Sequence, residues 1–194
     1  IYAPDIWVAE IVDYKDNLTI VNEAELSRMT GLQNANKVFA IVQQQENILP
    51  NLNNQFSIVL DGIQDPGNFG TIIRIADWYG IKNILCSQDC VELYNPKVIQ
   101  STMGSFVRVN SWYGDIATVL KESSMPVYGA LLDGNNVQLQ NKIKEGFLVI
   151  GNEGKGISKE ILPHINHALT IAKIGGAESL NAAVATGIIL SHII

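Results

Sequence analysis

Cysteine, charge and long apolar runs are all scarce in this chain of 194 residues. Its two cysteines, Cys86 and Cys90, lie four positions apart, which is neither a C-x-x-C motif nor a disulfide framework. No segment approaches the ~18 to 20 apolar residues that a membrane span needs. The first residues also lack the basic flank and long apolar core of a signal peptide. These absences argue against a disulfide-stabilised scaffold or a membrane protein and favour a cytoplasmic one.

Charged residues make up 16% of the chain and hydrophobic residues 47%. This composition supplies a substantial core and too little charge for a disordered chain. The formal net charge of −6 argues against a broadly basic nucleic-acid binder. From residue 51 onwards, however, twelve acidic residues are accompanied by ten basic ones, which leaves room for a local basic patch. Charge alone therefore neither establishes nor excludes an RNA partner.

The pattern along the chain predicts two regions joined by a linker. Residues 1–42 read as the last part of a small α/β domain whose beginning is absent, since the chain starts at Ile1 rather than at Met. Residues 43–54, QQQENILPNLNN, are rich in amides and lack periodicity, which predicts the linker. The elements predicted in the first region are strands near Ile6, at 18–21 and at 37–42, and a helix at 23–29.

Residues 55–194 form the second predicted domain, in which strands and helices alternate. Near-continuous apolar strands between helices predict a parallel sheet that is covered on both faces. In such a sheet a ligand lies beyond the carboxyl ends of the strands. The predicted strands are 57–60, 83–86, 106–109, 127–132, 147–150 and 168–172, and the predicted helices are 70–79, 95–103, 116–122 and 159–165.

Two glycine-containing loops follow strands of this sheet. The first, DGIQDPGNFG at 61–70, leads into a helix that leaves Arg74 near the mouth of the loop; taken alone it reads most simply as a glycine-rich turn with a solvated arginine. The second, IGNEGKGIS at 150–158, fails the phosphate-loop pattern because Ile157 stands where that pattern has lysine. Its three glycines in six residues still indicate a sharp turn or a close approach to a ligand.

The last segment, IAKIGGAESLNAAVATGIILS at 171–191, combines a double glycine with a helix predicted to be buried nearly all round. Asn181 is predicted to lie one turn inside that helix, where an unpaired amide would cost a few kcal/mol. Two interpretations remain open. Either Ser179 caps the helix while Asn181 holds a neighbouring loop, or residues 179–181 form a site at the N-terminus of the helix.

Other kinds of site find little support in the sequence. No G-x-G-x-x-G follows a strand, which argues against a nicotinamide enzyme, and no serine stands in a G-x-S-x-G elbow. His164 and His167 lack the acidic or cysteine companions of a metal site, so no metal is expected.

Taken together, the three loops resemble the three motifs of the SpoU (TrmH-type) branch of the SPOUT RNA methyltransferases. The matching segments are DPGNFGTIIRIAD, LVIGNEGKGIS and IAKIGGAESLNAAVATGIIL, in the order of the family, and the likeness spans about residues 56–194. Residues 95–109 resemble the segment between the first two motifs, and residues 1–42 resemble the end of the small RNA-binding domain that often precedes this catalytic domain. Ala172 departs from the pattern, because family members often have proline there.

The resemblance implies a parallel-sheet α/β domain with a deep C-terminal trefoil knot, and a homodimer. It implies S-adenosylmethionine in the knotted cleft and methyl transfer to a ribose 2′-hydroxyl of RNA, the group that distinguishes RNA from DNA. Ribosomal RNA is the favoured substrate. The alternatives are transfer RNA, or a non-catalytic RNA-binding or ribosome-assembly factor on the same fold.

The resemblance also assigns roles to individual residues. Arg74 matches the proposed activator of the hydroxyl; because an arginine stays protonated, we expect it to act as an electrostatic partner rather than as a free base. The residues assigned to catalysis are Asn68, Arg74, Glu153, Ser179 and Asn181. The residues assigned to the cofactor are Ala130, Leu131, Gly151, Asn152, Gly156, Ile171, Ile174 and Leu180.

Overall fold

The computed structural model describes residues 1–7, 17–30 and 36–194. The chain forms two compact units, Ile1–Glu46 and Asn47–Ile194. Parts of the strand predicted near Ile6 lie outside the described residues.

The first unit is built from short elements. Strand β1 (Tyr2–Ala3) pairs in parallel with β2 (Thr19–Ile20), and helix α1 (Glu23–Met29) follows. Helix α1 begins where the Asn22 side chain accepts from the backbone N–H of Glu25 and the Glu25 side chain accepts from that of Asn22. Two predicted strands are wrong: Asp5–Trp7 is a 3-10 turn, and the segment 37–42 contributes only an isolated bridge between Phe39 and Tyr2.

The second unit contains a six-stranded sheet in which all described pairs are parallel, in the order β5-β4-β3-β7-β6-β8. This confirms the predicted α/β class with a parallel sheet. Its strands are β3 (Phe56–Asp61), β4 (Asn83–Cys86), β5 (Asn110–Tyr113), β6 (Val127–Asn136), β7 (Gly146–Gly151) and β8 (His167–Thr170). Its α-helices are α2 (Pro66–Trp78), α3 (Pro96–Thr102), α4 (Ile116–Glu122) and α5 (Ala182–Ile193).

Alternation along the strands divides the apolar side chains between two cores. Ile58 and Leu60 of β3 point into one core, with side chains of α2 and α5, whereas Val59 points into the other, with side chains of α4. Because both faces of β3 are buried, its sequence reads as a continuous apolar run. Cys86 and Cys90 are both free and buried, and the Cys90 sulfur accepts from the N–H of Ile63, which helps to hold the loop after β3.

Two predicted elements of this unit are wrong for local reasons. The strand expected at 106–109 is a 3-10 turn, Ser105–Val107, because Met103 and Gly104 both adopt left-handed conformations and redirect the chain. Strand β5 starts only at Asn110. The helix expected at 159–165 shrinks to a 3-10 turn, Leu162–His164, since Pro163 has no N–H to donate to a helix.

The C-terminal helix packs against α2 and is fastened at its last turn. At its end, the N–H of Ile143 donates to the carbonyl of Ile193 at 2.6 Å, and the ammonium of Lys142 donates to the carbonyl of Ile194. The connection between β6 and β7 is therefore fastened to the last turn of α5.

Candidate active site

The loops that follow β3 and β7 leave the sheet side by side, because Asp61 and Gly151 are partners in neighbouring strands. Two hydrogen bonds join these loops. The Asn152 side-chain amide donates to the carbonyl of Gly62 at 2.7 Å, and the N–H of Ser158 donates to the Asp61 carboxylate at 2.6 Å. The first two motifs therefore form one surface at the carboxyl edge of the sheet, where a parallel sheet binds its ligands.

The loop after β3 places Asn68 in the first turn of α2. Asp65 is the N-cap and accepts the backbone N–H of Asn68 at 2.7 Å, while Pro66 occupies the first turn, where its missing N–H costs nothing. Gly70 has a packing role, since a Cβ there would lie 2.4 Å from the Cβ of Ser101 in α3. This glycine of the first motif is thus explained by the close approach of two helices.

Asn181 has a different position from the one expected. It is exposed and precedes α5 as its N-cap, and its Oδ1 accepts the N–H groups of Ala183 at 3.0 Å and Val184 at 3.2 Å. The predictions that Asn181 lies inside a buried helix and that Ser179 is the cap are therefore wrong. The apolar periodicity runs through Leu180, but the capping amide fixes where the helix begins. Val184 is half exposed, so the helix is not buried all round.

A chain of hydrogen bonds joins all three motifs. The Asn181 Nδ2 donates to the Asn68 Oδ1 at 2.7 Å, and the Asn68 Nδ2 donates to the Glu153 Oε1 at 2.6 Å. We call these three side chains the amide chain. Its direction follows from the helix cap: the Asn181 oxygen is committed to α5, so its nitrogen faces Asn68, whose own nitrogen must then face the carboxylate.

Arg74 and Ser179, the other two residues assigned to catalysis, are exposed and stand outside the amide chain. Arg74 follows Asn68 by six residues, about 9 Å further along the axis of α2 and about a third of a turn around it. Within the described ranges neither side chain makes a hydrogen bond or an ion pair. Both are therefore available to a bound substrate.

Three of the residues assigned to the cofactor shape the loop after β7. Asn152 and Gly156 bridge each other through backbone hydrogen bonds of 3.0 and 2.9 Å. A Cβ on Gly151 would lie 2.3 Å from the backbone of Gly156, which itself has a φ of +70°. The Asn152 side chain is also occupied, because its Oδ1 accepts the N–H groups of Gly154 and Lys155.

The other assigned residues lie in the middle of β6 and in the segment between β8 and α5. Ala130 and Leu131 are half-buried and lie within β6, which runs to Asn136 with an irregularity in its pairing to β8. Ile171 is half-buried just after β8, whereas Ile174 is fully exposed and Leu180 is 47% exposed. In this described part of the chain, residues 172–180 make no backbone–backbone hydrogen bond. Ala130 and Ile171 pack against the core that contains Ile58, whereas Leu131 packs against the core that contains Val59, so these assigned residues are divided between the two faces of the sheet.

Comparison with known proteins identifies the family. The sequence profile of the SpoU rRNA Methylase family matches residues 55–191, which covers the whole sheet of the second unit and all three motifs. The chain belongs to the SpoU rRNA methylase family.

Individual members of the SpoU family are similar over most of this chain. A 23S rRNA (guanosine(2553)-2'-O)-methyltransferase of Bacillus subtilis is 29% identical over 178 residues, 90% of this chain and 71% of the relative. A 23S rRNA (guanosine-2'-O-)-methyltransferase of Escherichia coli K12 is 30% identical and covers 76% of this chain and 65% of the relative. The crystal structure of an AdoMet-bound rRNA methyltransferase from Sinorhizobium meliloti superimposes with a TM-score of 0.85 at 27% identity, over 98% of this chain and 78% of that one.

Two acidic side chains of this SpoU-family domain have structural roles that were not predicted from the sequence. Asp65 positions Asn68, and its place directly before Pro66 is a helix-start signal that could have revealed it. Asp61 joins the loops after β3 and β7 through the N–H of Ser158, 97 residues away, and no local pattern indicates such a contact.

Among the described residues, none of the helices is long and apolar enough to cross a membrane. The same residues contain no group of three or more histidine, cysteine, aspartate or glutamate side chains placed to hold a metal ion.

Proposed function

We propose that this SpoU-family protein methylates the 2′-hydroxyl of a ribose in ribosomal RNA, with S-adenosylmethionine as the methyl donor. The amide chain carries the proposal. It gathers Asn68, Glu153 and Asn181 from segments up to 113 residues apart and orders them by directional hydrogen bonds. A domain that only binds RNA has no need of such an ordered set beside two unpaired polar side chains, Arg74 and Ser179.

The substrate is inferred from the relatives. The Bacillus subtilis and Escherichia coli proteins are named as 23S rRNA 2′-O-methyltransferases that act on guanosine, and this favours ribosomal RNA over transfer RNA. Such a substrate favours a cytoplasmic location. Residues 1–42 are proposed to be part of an RNA-binding domain, with residues 43–54 as the linker.

The residues that follow β8 fit S-adenosylmethionine. Its adenine needs an apolar surface, which Leu180 and Ile171 would provide, and its polar edges need peptide groups that are not already paired. The backbone of residues 172–180, which makes no backbone–backbone hydrogen bond, meets that need. When bound, S-adenosylmethionine supplies the methyl group for an in-line displacement, a reaction that depends strongly on positioning.

The side chains of the protein have the chemistry to prepare the hydroxyl. The Arg74 guanidinium stays charged and stabilises negative charge on the reacting oxygen or an adjacent phosphate. The Glu153 carboxylate accepts from Asn68 through Oε1; the described residues leave its Oε2 unpaired, so that oxygen can accept the hydroxyl proton directly or through water. Asn68 fixes the orientation of that carboxylate, and Ser179 is free to hydrogen-bond to the ribose.

The proposal includes a homodimer and a C-terminal trefoil knot, as the family resemblance implies. The bonds from the β6–β7 connection to the end of α5 support the knot, because they bring that connection against the last segment of the chain.

Calorimetric titration with S-adenosylmethionine and S-adenosylhomocysteine tests the cofactor site. We expect saturable binding that Leu180→Asp weakens at least tenfold, whereas Val107→Asp leaves it unchanged; Val107 is an apolar control outside the site, 61% exposed against 47% for Leu180. Gly151 is a poor position for a blocking substitution, because any side chain there displaces the backbone of the loop. A folded protein that does not bind either compound would refute the methyltransferase proposal and favour the RNA-binding factor.

Transfer of a labelled methyl group to RNA from cells that lack this protein tests the substrate. We expect incorporation of the label into ribosomal RNA, and no incorporation where the target ribose lacks its 2′-oxygen. Incorporation into transfer RNA alone would establish the alternative substrate, and cofactor binding without transfer to either RNA would contradict the proposed activity.

A further inference from the structure

Trp78, in the last turn of α2, exposes 86% of its surface. Tryptophan is highly buried on average in folded proteins, and the fold of this unit gains little from a side chain so exposed. A single exposed apolar residue requires no explanation by itself. The position of Trp78 relative to the proposed site, however, does require an explanation.

Trp78 lies on the same face of α2 as Arg74. The two residues are four positions apart, which places Trp78 one turn further along the helix, about 6 Å from Arg74 along the axis. Thr71 continues this exposed face towards Asn68 in the first turn of α2. An extended ligand that reaches Arg74 from the end of α2 must therefore pass Trp78.

The charge around Trp78 suits a polyanion. Arg74 and Lys82 are exposed and make no ion pair within the described residues. Asp77, the acidic neighbour, is neutralised by Arg108, whose Nη2 donates to it at 2.6 Å and whose Nε donates at 3.0 Å. The residues within four positions of Trp78 thus carry an excess of basic charge, on a chain of net charge −6. A second copy related by a two-fold axis that passes close to Trp78 would bring these like charges together.

We propose that Trp78 stacks on a base of the RNA substrate, beside the nucleotide whose ribose reaches Arg74, and so positions that nucleotide. This inference rests on the proposed function. Unpaired bases commonly stack on aromatic side chains of RNA-binding proteins, and this contact is tolerant of base identity. Trp78 is accordingly a substrate-positioning residue, and it acts on RNA affinity rather than on the chemical step.

The experiment compares Trp78→Ala and Trp78→Phe with a control, Leu139→Ala, which removes an apolar side chain that is 82% exposed outside α2. Each is assayed for methyl transfer to unmodified ribosomal RNA. We expect Trp78→Ala to raise KM for RNA about tenfold, as loss of one stacked base does, with kcat within about twofold. Trp78→Phe should recover most of the affinity and Leu139→Ala should match wild type. RNA should quench the tryptophan fluorescence of wild type more than that of Trp78→Phe.

Three results would overturn the inference: an unchanged KM in Trp78→Ala, a loss confined to kcat, or a shift of Trp78→Ala to a smaller species by light scattering. The last would assign Trp78 to contact with a second copy. Failure of the proposed function is distinguishable, because wild type itself would then bind no S-adenosylmethionine or transfer no methyl group.

Discussion

Asn181 has two roles, as the cap of α5 and as a hydrogen-bond donor to Asn68, and substitution by aspartate removes only the second. Its oxygen caps α5, and its nitrogen orders the amide chain through Asn68. Asn181→Asp keeps an oxygen for the cap and removes the nitrogen. Asn181→Ala removes both. The two variants should therefore differ in stability and resemble each other in activity.

The expected stability changes follow from the cap. Aspartate caps a helix as well as asparagine does, whereas alanine at this position costs typically about 1 kcal/mol, within a range of about 0.5–2. The new carboxylate gains from the helix dipole by about 0.3–1 kcal/mol. It lies roughly 7 Å from the Glu153 carboxylate across the Asn68 amide, a repulsion of about 0.6 kcal/mol at the dielectric constant of water. These terms nearly cancel, so the free energy of unfolding of Asn181→Asp should stay within about 0.5 kcal/mol of wild type.

The expected loss of activity follows from hydrogen-bond counting. In Asn181→Asp, Asn68 stands between two carboxylates and has one NH₂ group to offer them. If the Asn68 NH₂ group turns to the new carboxylate at position 181, Glu153 loses its hydrogen-bond donor. If it stays on Glu153, the new carboxylate faces the Asn68 oxygen without a donor. A hydrogen bond to a charged group contributes about 1.5–3 kcal/mol, and the lower figure applies at this exposed site. We therefore expect kcat/KM to fall by about tenfold.

Urea unfolding and methyl transfer to unmodified ribosomal RNA, measured on the same preparations, test this reasoning. The refuting result is Asn181→Asp with wild-type turnover, since the amide chain would then have no part in the reaction. Equal unfolding free energies for Asn181→Ala and wild type would refute the capping role.

Three further predictions concern packing, chemistry and pH. Gly70→Ala should lower the free energy of unfolding in urea by about 1–3 kcal/mol, because its Cβ would lie 2.4 Å from a side-chain carbon of α3; Gly187→Ala, whose nearest contact would be at 3.5 Å, should raise it by about 0.5–1 kcal/mol. Glu153→Gln should lower kcat at least tenfold in the transfer assay and leave the calorimetric Kd for S-adenosylmethionine unchanged, because it removes the proton acceptor alone. The hydrogen bonds from Arg108 lower the pKa of Asp77 below its ordinary value of 3.8. The pair therefore stabilises the fold above that pH, and the contribution is lost as the pH falls through the lowered pKa. Melting temperatures of Arg108→Gln and wild type should differ at pH 7 and converge as the pH falls below the lowered pKa.

The elements that the sequence predicted well are those whose local signals agree. Strand β4 and helix α4 were predicted with their observed bounds, because a compact apolar run and an aspartate cap at Asp115 mark them. The strand predicted at 106–109 was wrong. The apolar residues of this segment suit a strand, but the left-handed backbone at Met103 and Gly104 forces a 3-10 turn. Only Gly104 hinted at this turn in the sequence.

The candidate site was predictable as a set of residues and unpredictable as an arrangement. Family motifs pointed to Asn68, Glu153 and Asn181, but an amide that both caps a helix and orients a distant side chain leaves no local pattern. Asn152 shows the same limit. Its assignment to the cofactor came from its motif, whereas its side chain holds two loops together.

The central strand of the sheet bears on how the protein is made. Strand β3 pairs with β7, whose residues follow it by 90 positions, and Asn68 receives its orienting bond from a residue 113 positions later. Contacts so distant along the chain form slowly, because a long loop must close before they contribute. During synthesis, the first motif leaves the ribosome well before its partners exist. A nascent chain therefore has no ordered amide chain until α5 has been made, and methylation activity should report on completed folding.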